Sequence, residues 1–262
     1  MARIAHLSDI HFGGENAAAV KAARVWLDRE APDLIVITGD VTSFGQPGEF
    51  RRAADWAGVL AAPVLVTPGN HDTPYLGLFE RLTVPFGRYE ESFGPAAGLG
   101  WSNGALSAVA VNTARGAQWR WNWSKGAIGR RQTERALELL AARPAGALGV
   151  FACHHPLVEM TGGPMTGRVR GGEAAARLLC EGKVDLVLTG HIHAPFAMAY
   201  PYGDGHAYAV GAGTLSLRER GVPVGFNLIE ADAAKVDVTA QAWNGSSFEV
   251  WRTWSLPRRG GG

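Results

Sequence analysis

Asp33-Leu34-Ile35-Val36-Ile37-Thr38-Gly39-Asp40 is the stretch whose reading decides the fold. Apolar and β-branched residues run on without alternation, then stop at a glycine followed by a carboxylate. A short continuous run of this kind is the signature of a strand covered on both faces. The same pattern recurs four times. Arg3 to Ser8 leads to Asp9-Ile10-His11, and Pro63 to Thr67 leads to Gly69-Asn70-His71-Asp72. Ala147 to Ala152 leads to His154-His155, and Val184 to Thr189 leads to Gly190-His191-Ile192-His193. In layered α/β folds, ligands bind at the carboxyl ends of such strands. Five strands that each end in oxygen or nitrogen donors describe one site at one sheet edge.

Any one of these segments alone would carry no weight. Together they offer carboxylates, an amide and imidazoles, with no thiolates, in numbers that suit two metal ions. Paired ions are a device for displacement at phosphorus. A carboxylate has two oxygens and can span two cations, and imidazole nitrogens suit intermediate divalent ions. In an extended segment, residues two apart point to the same side. On that reading Asp9 and His11 aim at one ion, and His191 and His193 both face the site. Gly39, Gly69 and Gly190 directly precede ligand candidates, where a sharp or left-handed turn would present the next side chain.

The ordered pattern Asp-x-His, Gly-Asp, Gly-Asn-His-Asp, His, Gly-His-x-His resembles that of the calcineurin-like metallophosphoesterases, across residues 9 to 193. Narrower features are similar to the bacterial branch of cyclic-nucleotide phosphodiesterases and glycerophosphodiesterases. They are Gly39-Asp40-Val41-Thr42, His154-His155-Pro156, and Gly213-Thr214 followed by Gly221-Val222-Pro223-Val224-Gly225-Phe226-Asn227-Leu228-Ile229. The resemblance implies one metal bound by Asp9, His11, Asp40 and His193, and a second bound by Asp40, Asn70, His154 and His191. Asp40 would bridge the two. His71 would lie beside the substrate phosphate rather than on a metal. His155 neighbours a ligand candidate on a chain where adjacent residues point apart, and so reads as lining the substrate or supporting its neighbour. Mn²⁺, Fe and Zn²⁺ all tolerate such a donor set.

Helical stretches alternate with the strands: Ala17 to Glu30, Gly48 to Leu60, Arg130 to Ala142 and Glu173 to Gly182. After Gly190 the character changes. Ala207 to Val210, Gly225 to Glu230 and Val236 to Ala240 read as strands joined by tight turns, an antiparallel portion. The order fits an α/β fold, a two-sheet β-sandwich flanked by helices. Residues 1–257 read as a single domain and 258–262 as a flexible tail.

Lys and Arg number 25 against 24 Asp and Glu, and apolar residues make up 47% of 262. A sizeable core is available, and the basic excess of a nucleic-acid-coating protein is absent. Two cysteines, Cys153 and Cys180, make no disulfide framework and read as buried thiols. No apolar run approaches the ~20 residues of a membrane span, and the first strand begins within a few residues of Met1. The expectation is a cytoplasmic enzyme acting on a small phosphoester, with neither nucleic acid nor membrane as partner.

The expected reaction is hydrolysis by a hydroxide shared between two ions, with His71 protonating or hydrogen-bonding the leaving oxygen. A diester is expected over a monoester, because no motif assigns a dedicated cation to a second phosphate charge. Arg115, Arg218 and Arg220 are the residues that would overturn this. Other readings are a phosphomonoesterase, a nucleotide pyrophosphatase or a nuclease of the same fold, and a non-catalytic scaffold, which has no need of the complete donor set. Asp72 reads as structural. Trp119-Arg120-Trp121-Asn122-Trp123 reads as a loop folding back on the body, with nucleobase stacking as the alternative.

Overall fold

The computed structural model describes residues 1–119, 122–159, 169–218 and 220–259. In chain order the first half contains β1 (Ala2–Leu7), α1 (Ala17–Glu30), β2 (Leu34–Thr38), α2 (Pro47–Gly58), β3 (Val64–Thr67), α3 (Leu78–Thr83), α4 (Gly87–Phe93), β4 (Leu99–Ser102) and β5 (Leu106–Ala110). The second half contains α5 (Arg130–Ala141), β6 (Leu148–Ala152), α6 (Gly172–Glu181), β7 (Leu186–Thr189), β8 (Phe196–Ala199), β9 (Tyr208–Gly211), β10 (Gly225–Ala231), β11 (Lys235–Trp243) and β12 (Phe248–Pro257).

Local chemistry sets the helices. The Asn16 side chain caps α1 by accepting from the Ala19 amide at 3.1 Å. Ala19, Val20, Ala23, Trp26 and Leu27 then fall on one buried stripe. Pro47 opens α2 in the first turn, where its missing N–H costs nothing.

The strands form two six-stranded sheets, ordered β12-β11-β10-β1-β2-β3 and β4-β5-β6-β7-β9-β8. β1, β2 and β3 are mutually parallel, and so are β5, β6, β7 and β9. The carboxyl ends of the five motif-bearing strands therefore lie along two edges, one per sheet. Alternation along each strand builds three apolar layers. Ile4, Leu34 and Val36 of the first sheet meet Leu106, Val150 and Leu188 of the second in the inter-sheet core. The outer faces take the remaining residues: Ala5, Leu7 and Ile37 pack under α1 and α2, and Val109, Phe151 and Val187 pack under α5 and α6. This is the two-sheet sandwich flanked by helices that the sequence implies.

The structure departs from the sequence reading in several places. β9 is parallel to β7 and belongs to the second sheet, so the antiparallel extension consists of β10, β11 and β12 beside β1. β12 was not expected. It is an edge strand, exposed along most of its length and interrupted by charges, so it lacks the continuous apolar run of the buried strands. β4, β5, β8, α3 and α4 were also not expected; α3 has no buried residue. Of the expected tail, the Arg258 amide donates to Ala234 O at 2.8 Å, and Arg259 pairs with Asp204 at 2.7 Å and Asp185 at 3.3 Å. Residues 260–262 lie outside the described residues. Cys153 and Cys180 are buried free thiols. Among the described residues, no helix is long and apolar enough to cross a membrane.

Candidate metal centre

The loops leaving β1 and β2 stay hydrogen-bonded to each other beyond the sheet. Asp9 N donates to Gly39 O (3.0 Å), His11 N to Asp40 O (3.0 Å) and Phe12 N to Val41 O (2.8 Å). Asp72 ties the third loop to the second. Its carboxylate accepts from the amides of Val41, Thr42 and Gly69 and from the Thr42 hydroxyl. That is the structural role expected of it. Burial and the charge of Asp40 push Asp72 up to about 6 in spite of those donors.

The extended geometry expected of Asp9-Ile10-His11 and His191-Ile192-His193 is absent. Asp9, His11, Asp40, His191 and His193 all have left-handed φ, between 48° and 70°. The glycines also divide by cause. Gly39 has φ +82°, as a left-handed turn requires. Gly69 and Gly190 are instead places of close approach. A Cβ at Gly69 would collide with Asp40 Oδ1 and N, and one at Gly190 would lie 2.6 Å from Asp9 Oδ2.

Four imidazoles are oriented in the same way. Nδ1 of His11 meets Thr42 O (3.2 Å), His71 meets Ser43 O (2.7 Å), His154 meets Thr38 O (2.7 Å) and His193 meets Arg218 O (2.9 Å). A carbonyl only accepts, so each Nδ1 carries the proton and each Nε2 is left as a donor atom facing inward. Fixing a ring by a bond to its far nitrogen is how metal-ligating histidines are usually held. The four carbonyls carry no sequence signal, which is why Thr38, Thr42, Ser43 and Arg218 were not foreseen in this role.

The carboxylates complete the convergence. His193 Nε2 lies 3.2 Å from Asp9 Oδ1, and His154 Nε2 lies 3.4 Å from Asp40 Oδ2 and 3.2 Å from Asn70 Oδ1. His11 Nε2 is 3.9 Å from both Asp9 and Asp40. Donor atoms of Asp9, His11 and His193 lie within 4.8 Å of one another, as do those of Asp9, Asp40 and His154. Asp9 Oδ1 is buried and has no hydrogen-bond partner among the described residues. A buried, ionised oxygen of that kind calls for a cation. Residues present and chemistry required therefore fit divalent metal.

The electrostatics agree. Burial pushes Asp40 up, yet His154, His71 and His11 hold it well below the usual carboxylate range. Asp9 is likewise held low by His193 and His154 against burial. Burial drives His11 and His191 down to about 4, leaving neutral, ligation-competent rings. Burial also acts to lower His154, but Asp40 and Asp9 lift it to about 9.

The remaining candidates separate clearly. His191 packs against His154 and His155, ring centroids 5.2 and 4.7 Å away, and its amide donates to Asp9 Oδ2 at 2.9 Å. The Thr113 hydroxyl accepts from the His155 amide and meets His155 Nδ1 at 2.9 Å, while Nε2 meets Ser124 O at 2.8 Å. Both ring nitrogens of His155 thus have hydrogen-bond partners, while its ring packs against His154 and His191, with ligand atoms of the three within 4.8 Å of one another. Buried His6 bonds Thr38 Oγ1. Thr214 of the Gly213-Thr214 pair donates to Asp9 O at 2.6 Å, giving that motif a supporting role.

Arg115 is spent on Asn112 O, Ala114 O and Gln132. Arg220 is exposed. Arg218 differs: its Nη1 lies 3.4 Å from His71 Nε2. Trp123 packs under the Arg81 guanidinium at 5.4 Å, whereas Trp119 is fully exposed and does not fold back. Arg120 and Trp121 lie outside the described residues.

Comparison with known proteins agrees with this geometry. The family model described as calcineurin-like phosphoesterase matches residues 2–195. A probable cyclic nucleotide phosphodiesterase of Synechococcus is 29% identical over 209 residues, covering 74% of each chain. The glycerophosphodiester phosphodiesterase GpdQ of Enterobacter lignolyticus is 35% identical over 80 residues, 26% of this chain and 29% of that one. Among solved structures, a dimetal phosphatase from Danio rerio shares the fold with TM-score 0.70 at 11% identity, covering 98% of this chain and 99% of the other. The chain belongs to the calcineurin-like phosphoesterase family and is a metal-binding phosphoric ester hydrolase.

Proposed function

We propose that the protein is a binuclear phosphodiesterase that hydrolyses small phosphodiesters of the cyclic-nucleotide or glycerophosphodiester type. The observation that carries this reading is the convergence of seven donors from both sheets, with imidazole Nε2 atoms freed by carbonyls and an unpartnered Asp9 oxygen. Asp9, His11, Asp40 and His193 would hold one ion; Asp40, Asn70, His154 and His191 would hold the other. Mn²⁺ or Fe, with Zn²⁺ as a further possibility, suits these ligands. Divalent ions supply charge neutralisation of the phosphoryl oxygens and a lowered pKa for the attacking water.

The chain's own residues do the rest. Asp40 presents Oδ2 toward His154 and His11, and its Oδ1 accepts the His71 amide at 2.8 Å. One side chain thereby links the shared position to the backbone of the acid. His71 holds a proton on Nδ1 against Ser43 O, so a proton given to the leaving oxygen would be a second one, taken up from solvent and carried on Nε2. The names of the two curated relatives support a diester. One observation favours a second reading, a monoesterase: the Arg218 guanidinium stands beside His71, where it can meet a second phosphate charge.

The test compares kcat/KM for bis(p-nitrophenyl) phosphate and p-nitrophenyl phosphate under identical Mn²⁺ loading, followed by cyclic nucleotides and glycerophosphodiesters. Preference for the diester is expected. A tenfold preference for the monoester, ~1.4 kcal/mol in the transition state, overturns the diester reading.

A further inference from the structure

Arg218 bridges two sides of the centre. Its amide donates to Ser216 Oγ at 3.2 Å, and its carbonyl accepts from His193 Nδ1 at 2.9 Å. The preceding Leu217 amide donates to Gly14 O at 3.0 Å. The turn beneath is fixed by Thr214, whose hydroxyl bonds both Asp9 O and Ser216 Oγ. A backbone so anchored sits against the His193 ring. The side chain then reaches the other way, to His71 Nε2. His11 lies between, its ring centroid 4.9 Å from His71 and 5.3 Å from His193. Arg218 therefore runs from the His193 side of the donor cluster to the His71 side, with its side chain exposed.

The chemistry of that contact points outward. His71 Nδ1 carries the proton, so its Nε2 accepts from Arg218. A guanidinium has five N–H donors in a planar fork matched to phosphate oxygens. That bond to Nε2 is the one hydrogen bond its side chain makes with the described residues, and no carboxylate among them pairs with it. The cation is held beside His71 by its backbone and left with most of its donors open.

We propose that Arg218 is a substrate-binding residue whose guanidinium engages a non-bridging phosphate oxygen beside His71 and sets how much phosphate charge the site accepts. The inference rests on the phosphoesterase reading above, and it deepens that reading by assigning the phosphate's charge partner. Substrate entry exchanges the weak bond to His71 Nε2 for a charge-assisted one to phosphate, which frees Nε2 to take up a proton from solvent and hold it toward the leaving oxygen. Nothing is transferred covalently by Arg218.

The experiment uses Arg218→Gln and Arg218→Lys in the Mn²⁺-loaded full chain. It measures kcat/KM on both nitrophenyl esters, inorganic phosphate binding by calorimetry, metal content and melting temperature. A charge-assisted hydrogen bond corresponds to about a ten- to hundredfold effect. Arg218→Gln should lower kcat/KM by that factor on the diester and by more on the dianionic monoester. It should weaken phosphate binding comparably and leave metal content and melting temperature unchanged. Arg218→Lys should recover part of the loss. Phosphate affinity and kcat/KM within twofold of wild type would overturn the proposal. Loss of metal by Arg218→Gln would also overturn it, by reducing Arg218 to a support of His193. If wild type prefers the monoester, the diester reading fails while the phosphate-binding comparison still decides the role of Arg218.

Discussion

Gly69→Ala presses on Asp40, the carboxylate proposed to be shared, without replacing any ligand candidate. Gly69 does not have a left-handed φ, so alanine is conformationally acceptable there. The obstacle is space. The added Cβ would overlap Asp40 Oδ1 and the Asp40 backbone nitrogen, and it would lie 2.8 Å from Asp40 Cγ. Because one of those atoms is backbone, a rotamer change cannot relieve the clash. Asp40 N cannot retreat freely either, since Asp40 O and Gly39 O are bonded to the β1 loop. Forced overpacking of this kind costs about 1–3 kcal/mol. At 2–4 °C per kcal/mol for a chain of this size, the melting temperature of metal-stripped protein should fall by about 2–12 °C. Displacement of a catalytic group by ~1 Å costs on the order of 10²-fold in rate. The control is Gly48→Ala in the first turn of α2, where nothing lies within 4 Å of the added Cβ. Alanine there should stabilise by about 0.5–1 kcal/mol. Scanning fluorimetry with and without chelator, elemental analysis and turnover of bis(p-nitrophenyl) phosphate read the outcome. Gly69→Ala protein with wild-type melting temperature, metal content and turnover would refute the close-approach argument.

Asp40→Asn should lose metal at both positions and all measurable turnover; elemental analysis showing full metal content would show that Asp40 is not shared. His71→Ala should keep its metal and lose ~10²–10⁴-fold in kcat, with a smaller loss on an activated aryl leaving group. Equal losses on poor and good leaving groups would remove His71 from proton transfer. Arg259→Ala should leave turnover unchanged and lower the melting temperature slightly at neutral pH. Hydrogen bonding by Arg259 lowers Asp204 to about 2, and a lowered carboxyl stabilises above its unfolded pKa and loses that stability as pH falls. The gap between Arg259→Ala and wild type should therefore close between about pH 4 and pH 2. A gap that persists at pH 2 would rule out the Asp204 pair as its source.

The site was legible in the sequence because ligand chemistry demands particular side chains, and those follow recognisable strands. Asp9, Asp40, Asn70, His154 and His191 stand where the apolar runs of β1, β2, β3, β6 and β7 give out. Buried strands were legible for the same reason: both faces of β2, β6 and β7 are covered, so their residues are apolar apart from the closing Thr38 and Thr189. Some elements failed to show because burial is partial; β5 is buried throughout and failed to show because a serine and two alanines leave it without a strong apolar run. β12 and α3 are mostly exposed and follow neither clear pattern. The fate of β9 could not be read either, because its sheet partner depends on long-range pairing rather than on its own residues. The carbonyls that orient the histidines were invisible in principle, since every residue type has one. His155 was placed near the site by adjacency alone. Its actual role depends on Thr113 and Ser124, 42 and 31 residues away.

The left-handed ligands bear on whether the centre works or is a relic in a binding scaffold. A non-glycine residue in that region costs up to roughly 1–2 kcal/mol, less for Asp, which visits it more readily, and five ligand candidates occupy it. Such strain persists only where surrounding bonds over-determine the conformation. Here they do: Asp9 and His11 are held by the Asp40 loop, His191 by Asp9 Oδ2, and the Asp40 loop by Asp72 and the His71 amide. Asp9 Oδ1 adds a buried oxygen without a hydrogen bond, its near neighbour being His193 Nε2 at 3.2 Å, which is a further cost. Neither expense improves packing, since apolar residues in relaxed turns would fill the same space. A surface used only for protein contact gains nothing from a strained, desolvated cluster beneath it. A centre that must hold two cations at fixed positions gains donor atoms already in place before the ions arrive, so little reorganisation is left for binding or reaction. The arrangement of backbone strain, carbonyl-locked imidazoles and an unpartnered carboxylate oxygen is therefore an argument for catalysis over scaffolding that does not depend on any relative's name.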